Sequence, residues 1–197
     1  MERRPRSFDS EHVLQKATEL FWRHGYDATS VKALTEALGI RTSSLYASFG
    51  DKRQLFETIL ERYQTYGQHV ADQAFDRAAN AYEAIESYLR ALTVEYADPS
   101  HPPGCLVITA AVNCAPASAD VEQRLRGIRQ AARQGLIARI QADIDAGLLA
   151  ADVDAEALGT YVAAVIQGMS TQARDGATTE DLLGIVELAM RAMPTSR

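Results

Sequence analysis

Apolar side chains recur along this chain every three or four positions, the spacing of one helix face, and nowhere alternate with the period of two that marks a half-buried strand. An all-α chain is expected. Val13, Leu14, Ala17, Leu20 and Phe21 form such a face on a helix over residues 10–23, which Gly25 closes because a helix stop favours a residue tolerant of positive φ. Thr29 or Ser30 caps a short second helix with Val31, Leu34 and Leu38 inward, and Gly39 breaks it. A third short helix follows over residues 42–49. A longer one begins near Asp51, with Leu55, Phe56, Ile59, Leu60 and Tyr63 as its stripe. Further helices are expected over residues 81–96, 104–112, 118–146, 154–172 and 178–193, each bounded by Gly, Pro or Asp/Ser signals. The run Asp98-Pro99-Ser100-His101-Pro102-Pro103-Gly104 is a loop, since three prolines cannot sit inside one helix.

Composition narrows the classes. The 197 residues carry 20 Lys+Arg against 26 Asp+Glu, a formal charge of -6, with 47% hydrophobic residues, enough for a core in one or two domains. No run of 18 apolar residues exists and Met1-Glu2-Arg3-Arg4-Pro5 leads into no apolar segment, so neither a membrane span nor a secretory signal is expected. The expected compartment is the cytoplasm. Cys105 and Cys114 are too few for a disulfide scaffold, and no Cys/His spacing suits zinc; neither a metal nor a cofactor is expected. The acidic total argues against a nucleic-acid partner. Its distribution argues otherwise. Residues 1–60 hold nine Lys+Arg and eight Asp+Glu, a balance of +1, whereas the remainder carries -7, and all three lysines (Lys16, Lys32, Lys52) fall in the first part. Such a shift predicts a small N-terminal module over residues 1–52 with a different partner from residues 53–197.

The second and third helices, joined by Gly39-Ile40-Arg41, have the spacing of a helix-turn-helix, which lays its second helix in a DNA major groove. Spacing alone equally allows two capped helices of an ordinary bundle, with the chain an all-helical ligand-binding protein or enzyme. On the third helix Leu45 and Phe49 face inward and Thr42, Ser43, Ser44, Ala47 and Ser48 outward, with Arg41 at the entry. Small polar residues let a helix lie deep in a groove about 12 Å wide. Tyr46 and Lys52 are placed for phosphates, one as a hydroxyl donor and one as a point charge. No nucleophile motif, carboxylate pair or phosphate-binding glycine loop points to catalysis.

The stretch from Phe8 to Phe56 resembles the DNA-binding domain of the TetR/AcrR family, chiefly through Gly25-Tyr26-Asp27-Ala28-Thr29-Ser30-Val31, Ala37-Leu38-Gly39-Ile40 and Ser44-Leu45-Tyr46-Ala47-Ser48-Phe49-Gly50-Asp51-Lys52. The resemblance implies an N-terminal three-helix helix-turn-helix domain and a larger C-terminal helical ligand-binding and dimerisation domain. It further implies a homodimeric repressor that binds a palindromic double-stranded operator and is released by a small-molecule inducer. Carried over by position, the DNA-contacting set is Thr29, Arg41, Thr42, Ser43, Ser44, Tyr46, Ser48 and Lys52. Two positions depart from the family pattern: Arg41 stands where a capping Ser is usual and Ala47 where a larger side chain is frequent. Thr42 or Ser43 is therefore expected to cap the recognition helix.

The last two helices carry apolar residues over most of their circumference, including Tyr161, Val162, Ile166, Leu182, Val186 and Met190, and are expected to form half of a four-helix dimer interface. Between module and interface, Tyr66, Val70, Tyr88, Leu92, Cys105, Thr109, Asn113 and Ile137 are expected to line a ligand pocket, mostly apolar with a few polar groups. Cys105, at the expected start of a helix, would have its thiol pKa lowered by the dipole, the condition for a redox or electrophile sensor. Arg126, Arg129 and Arg133 share a helix face that reads as a solvated stripe.

Overall fold

The structure, a computed structural model, describes residues 10–194; Met1 to Pro5 and Phe8, which entered the sequence reading, and the last three residues lie outside them. Among the described residues every regular element is helical. The first helix, α1 (Ser10–His24), buries Val13, Leu14, Ala17, Phe21 and Trp22. Ser30 caps α2 (Val31–Leu38), its Oγ accepting from the Ala33 N–H at 3.0 Å, a bond of about 1 kcal/mol. Thr29 is not the cap. After the turn come α3 (Thr42–Phe49) and α4 (Lys52–Phe75), which opens on a reciprocal box: Asp51 accepts from the Gln54 N–H, and Gln54 from the Asp51 N–H. Then follow α5 (Ala81–Tyr96), the four-residue α6 (Leu106–Thr109), a 3-10 turn at Pro116–Ser118, α7 (Ala119–Asp145), α8 (Ala155–Arg174) and α9 (Thr179–Arg191).

Two apolar cores result. The first joins Phe21, Leu34, Leu45, Leu55, Phe56 and Leu60 of α1 to α4 with Leu106 and Val107 of α6, Ala110 and Ala111 just after it, and Val121 and Leu125 at the start of α7. Burying each large side chain contributes about 1.5–3 kcal/mol, so the N-terminal helices are held to the body by the same core that holds them to each other. The second core, with Ile85, Leu89, Ile140, Val162, Met169, Leu182 and Val186, joins α5, α7, α8 and α9. No helix among the described residues is long and apolar enough to cross a membrane.

One expected helix fails. Residues 104–112 yield only α6. Gly104 stands outside it at φ +83, where a Cβ would come within 2.5 Å of the Ser170 carbonyl oxygen on α8. Beyond Thr109 the backbone groups find distant partners instead of helical ones: the Ala110 carbonyl accepts from the Tyr26 N–H at 2.7 Å, and the Ala115 N–H donates to Asp27 Oδ2 at 2.6 Å. A helix cannot continue through groups already bonded elsewhere. The arginine face of α7 is not a free stripe either. Arg126 pairs with Glu122, Arg133 donates to Glu156 and Thr160, and half-buried Arg129 donates to the Val107 carbonyl at 2.8 Å, tying α7 to α6.

Candidate nucleic-acid interface

Leu34 of α2 and Leu45 of α3 are fully buried against one another's neighbours, and Val31, Leu38, Ile40 and Phe49 pack partly buried around them. This fixes which side of α3 faces outward. Thr42, Ser43, Tyr46, Ala47 and Ser48 are exposed, Tyr46 by 47%, with Arg41 exposed at the entry and Ser44 half-buried. Six of the eight residues expected to contact DNA are therefore exposed or half-exposed on α3 and at its entry: Arg41, Thr42, Ser43, Ser44, Tyr46 and Ser48. The expected cap does not form. Arg41 is the N-cap of α3 with no side-chain cap bond, and Thr42 and Ser43 lie inside the helix. The Ser44 N–H bonds the Arg41 carbonyl at 2.9 Å, which leaves the N–H groups of Thr42 and Ser43 to an acceptor from outside, such as a phosphate oxygen.

Thr29 does not belong to this face. It is 2% exposed, and its hydroxyl donates to the Gly25 carbonyl at 2.7 Å, so it holds the α1–α2 turn from within. The resemblance placed it among the DNA contacts; here its side chain is buried in the turn. Lys52, the eighth residue, is half-buried beside α3, with Nζ donating to the Tyr26 carbonyl at 2.7 Å and lying 4.1 Å from the centre of the Tyr26 ring. Desolvation lowers its pKa, while the Asp27 carboxylate opposes that shift. An ammonium has three donors, so one bond to Tyr26 leaves others for a phosphate.

The eight residues expected around a ligand lie in different surroundings. A cleft of about 360 Å³ opens between α1, α4 and the α5–α6 loop, and of the eight Tyr66 alone lines it, its hydroxyl donating to Glu95 Oε2 at 2.7 Å. Tyr88 and Leu92 lie on α5 against the second core, Tyr88 edge-on to Phe75. Val70 and Thr109 are half-buried, Asn113 is exposed, and Ile137 is packed against Gly159, where a Cβ would come within 2.5 Å of it. Cys105 touches both cores. Its Sγ accepts from the Tyr63 hydroxyl at 3.4 Å, and burial raises the thiol pKa rather than the dipole lowering it, with hydrogen bonds from Tyr63 and Tyr96 opposing in part. Burial raises Tyr88 to about 12. Both cysteines are free.

The sequence names the α1–α2 turn and His101 without showing what either contacts. The His101 ring stacks on Trp22 at 4.7 Å, holds Nε2 3.3 Å from Glu95 and donates from Nδ1 to the Pro102 carbonyl.

Residues 13–59 match the family described as "Bacterial regulatory proteins, tetR family", and residues 81–181 match "Tetracyclin repressor-like, C-terminal domain". The HTH-type transcriptional repressor ComR of Escherichia coli K12 is 34% identical over 97% of this chain and 91% of its own. BdcR of the same organism, also an HTH-type transcriptional repressor, is 28% identical over 98% and 92%. Among solved structures, a cysteine-substituted form of the TetR family regulator CifR complexed with 26-base-pair operator DNA is 41% identical, covering 97% of this chain and 100% of that one at a TM-score of 0.90. A TetR regulator from Rhodococcus sp. RHA1 is 35% identical over 94% and 99%, at 0.64. The α2–turn–α3 unit, its outward polar face and the helical body beneath it are those of a DNA-binding transcriptional regulator, and the chain belongs to the TetR family.

Proposed function

We propose that the protein is a homodimeric repressor that binds a palindromic operator through α3 and leaves it when a small molecule enters the body. The observation that carries this reading is the exposed face of Arg41, Thr42, Ser43, Ser44, Tyr46 and Ser48, with Lys52 at its edge. Residues 1–52 form the DNA-binding domain and residues 53–197 the ligand-binding and dimerisation domain. Bases are read by Arg41 and the small side chains of α3; Tyr46 and Lys52 hold phosphates. Residues of the body expected to touch the inducer are those nearest the junction of the two cores, Tyr88, Leu92 and Cys105, with an uncharged thiol as part of an apolar wall. As a regulator of bacterial type whose target is DNA, it works in the cytoplasm.

Dimerisation uses α8 and α9. Their inner faces bury Val162, Met169, Leu182 and Val186, yet Tyr161 and Leu188 remain 38% and 64% exposed, and a cleft of about 340 Å³ beside Leu158 and Tyr161 lies open on this side. Exposed aromatic and aliphatic side chains on adjacent helices suit a self-complementary interface, and a two-fold dimer matches a palindrome.

Electrophoretic shift with the duplex upstream of the protein's own coding sequence tests the reading. The wild type shifts it at low salt in preference to a scrambled duplex, and Tyr46→Ala with Lys52→Ala weakens the shift of both duplexes. No sequence-dependent shift, or an unchanged double variant, overturns it.

A further inference from the structure

Asp27 is an exposed carboxylate beside Lys52, on a module that must approach phosphates. A negative charge there costs DNA affinity through repulsion, so its presence calls for another task. The structure supplies one. Both carboxylate oxygens are occupied by the body: Oδ2 accepts from the Ala115 N–H at 2.6 Å and Oδ1 from the Ser118 hydroxyl at 2.6 Å. One residue earlier, the Tyr26 N–H donates to the Ala110 carbonyl at 2.7 Å, and Gly25, at φ +81, brings its backbone so near that an added Cβ would lie 3.1 Å from the same oxygen. On its other side the turn is gripped by Lys52, at the head of α4 and directly after the recognition helix. Arg53, the next residue, pairs with Asp120 at the start of α7. The α1–α2 turn is thus fastened to residues 110–118 of the body and, through Lys52, to the end of α3.

We infer that Asp27 is a positioning residue for DNA recognition: it contacts no DNA, and through Ala115 and Ser118 it sets the angle of the helix-turn-helix on the body. The shared apolar core alone does not define that angle, because hydrophobic contact is non-directional, whereas two short bonds to one planar carboxylate fix both rotation and register. In a dimer joined through the body, the angle determines the separation of the two recognition helices, and so the half-site spacing the protein accepts; half-sites one turn apart lie about 34 Å from each other. Asp27 therefore acts on spacing rather than on base preference. The inference rests on the proposed dimeric, operator-binding function.

The test starts from a palindromic duplex selected by the wild type from a random pool, remade with one base pair inserted at its centre. The wild type binds the selected spacing at least about tenfold more tightly than the inserted one. In Asp27→Ala that ratio falls to about threefold or less, while the half-site sequence it selects is unchanged. Ser118→Ala, made on the body and removing one bond, gives a ratio between the two. Combined with Asp27→Ala it adds nothing, because both remove the same tie. Circular dichroism and the thermal midpoint establish that each variant is folded; were Asp27→Ala to unfold, Ser118→Ala carries the same test alone. Wild-type discrimination in the folded variants, or equal weakening at both spacings, overturns the inference and leaves the proposed function intact. A wild type that selects no palindrome overturns both.

Discussion

The N-terminal helices and the body are built alike, as amphipathic helices around apolar cores, yet they present opposite surfaces. α3 buries Leu45 completely and shows solvent a row of small polar groups; α8 and α9 bury Val162 and Leu182 and still expose Tyr161 and Leu188. Charge follows the same division, with a near-neutral first 60 residues holding every lysine and an acidic remainder. A small polar surface repeated by two-fold symmetry binds DNA without a basic body, and acidic flanks suppress binding elsewhere on the duplex.

Substitution inside the two regions separates them most sharply. Leu45→Ala leaves a void in the first core and costs about 2–5 kcal/mol in denaturant unfolding, abolishing DNA binding with it. Leu188→Ala, on an exposed body position, changes the stability of the isolated subunit by no more than about 0.5 kcal/mol. A charge on that face acts differently. Leu188→Glu weakens the dimer about a hundredfold by sedimentation, and lowers operator affinity without altering subunit stability. Unchanged dimerisation would move the interface off α9.

A smaller effect distinguishes holding from reading. Lys52→Ala weakens binding to every duplex alike and reduces the salt slope of the dimer by about one per subunit. Loss of sequence preference instead would make Lys52 a base contact.

The smallest effect lies on the seam. Glu95 raises the pKa of His101, burial opposes it, and the Pro102 carbonyl and Asp98 add to the rise. A raised folded pKa means that the interaction stabilises fully below the unfolded value of about 6.5, and is lost as pH climbs through the folded value. Trp22 is the chain's single tryptophan and stacks on His101, so its emission reports the titration. Emission is expected to rise with a midpoint above that of free histidine, and Glu95→Gln to lower the midpoint. An unshifted midpoint in that variant would remove Glu95 as the cause.

Legibility in the sequence followed the range of the determining contacts. The expected spans of α3 and α5 coincide with the observed ones because signals a few residues apart bound them: the Gly50 N–H bonds the Tyr46 carbonyl where α3 ends, and Asn80 bonds the Glu83 N–H where α5 begins. Residues 104–112 were misread as one full helix because the Ala110 carbonyl bonds Tyr26, more than 80 positions away, a distance no helical period registers. Thr29 came to the DNA-contacting set from the resemblance alone, and no sequence pattern registers that its hydroxyl is satisfied by the Gly25 carbonyl. The outward face of α3 was readable from Leu45 and Phe49 four apart. The pocket residues were not, because apolar periodicity marks core and cavity wall equally.

The central claim is that Arg41 and the small side chains of α3 read bases while Tyr46 and Lys52 only hold the backbone. Selection from a random duplex pool with the wild type, Ser44→Ala and Lys52→Ala tests it most directly. The account predicts a palindromic consensus for the wild type, the same consensus bound more weakly by Lys52→Ala, and a relaxed consensus for Ser44→Ala. No enriched sequence from the wild type, or a consensus changed by Lys52→Ala and kept by Ser44→Ala, would contradict it.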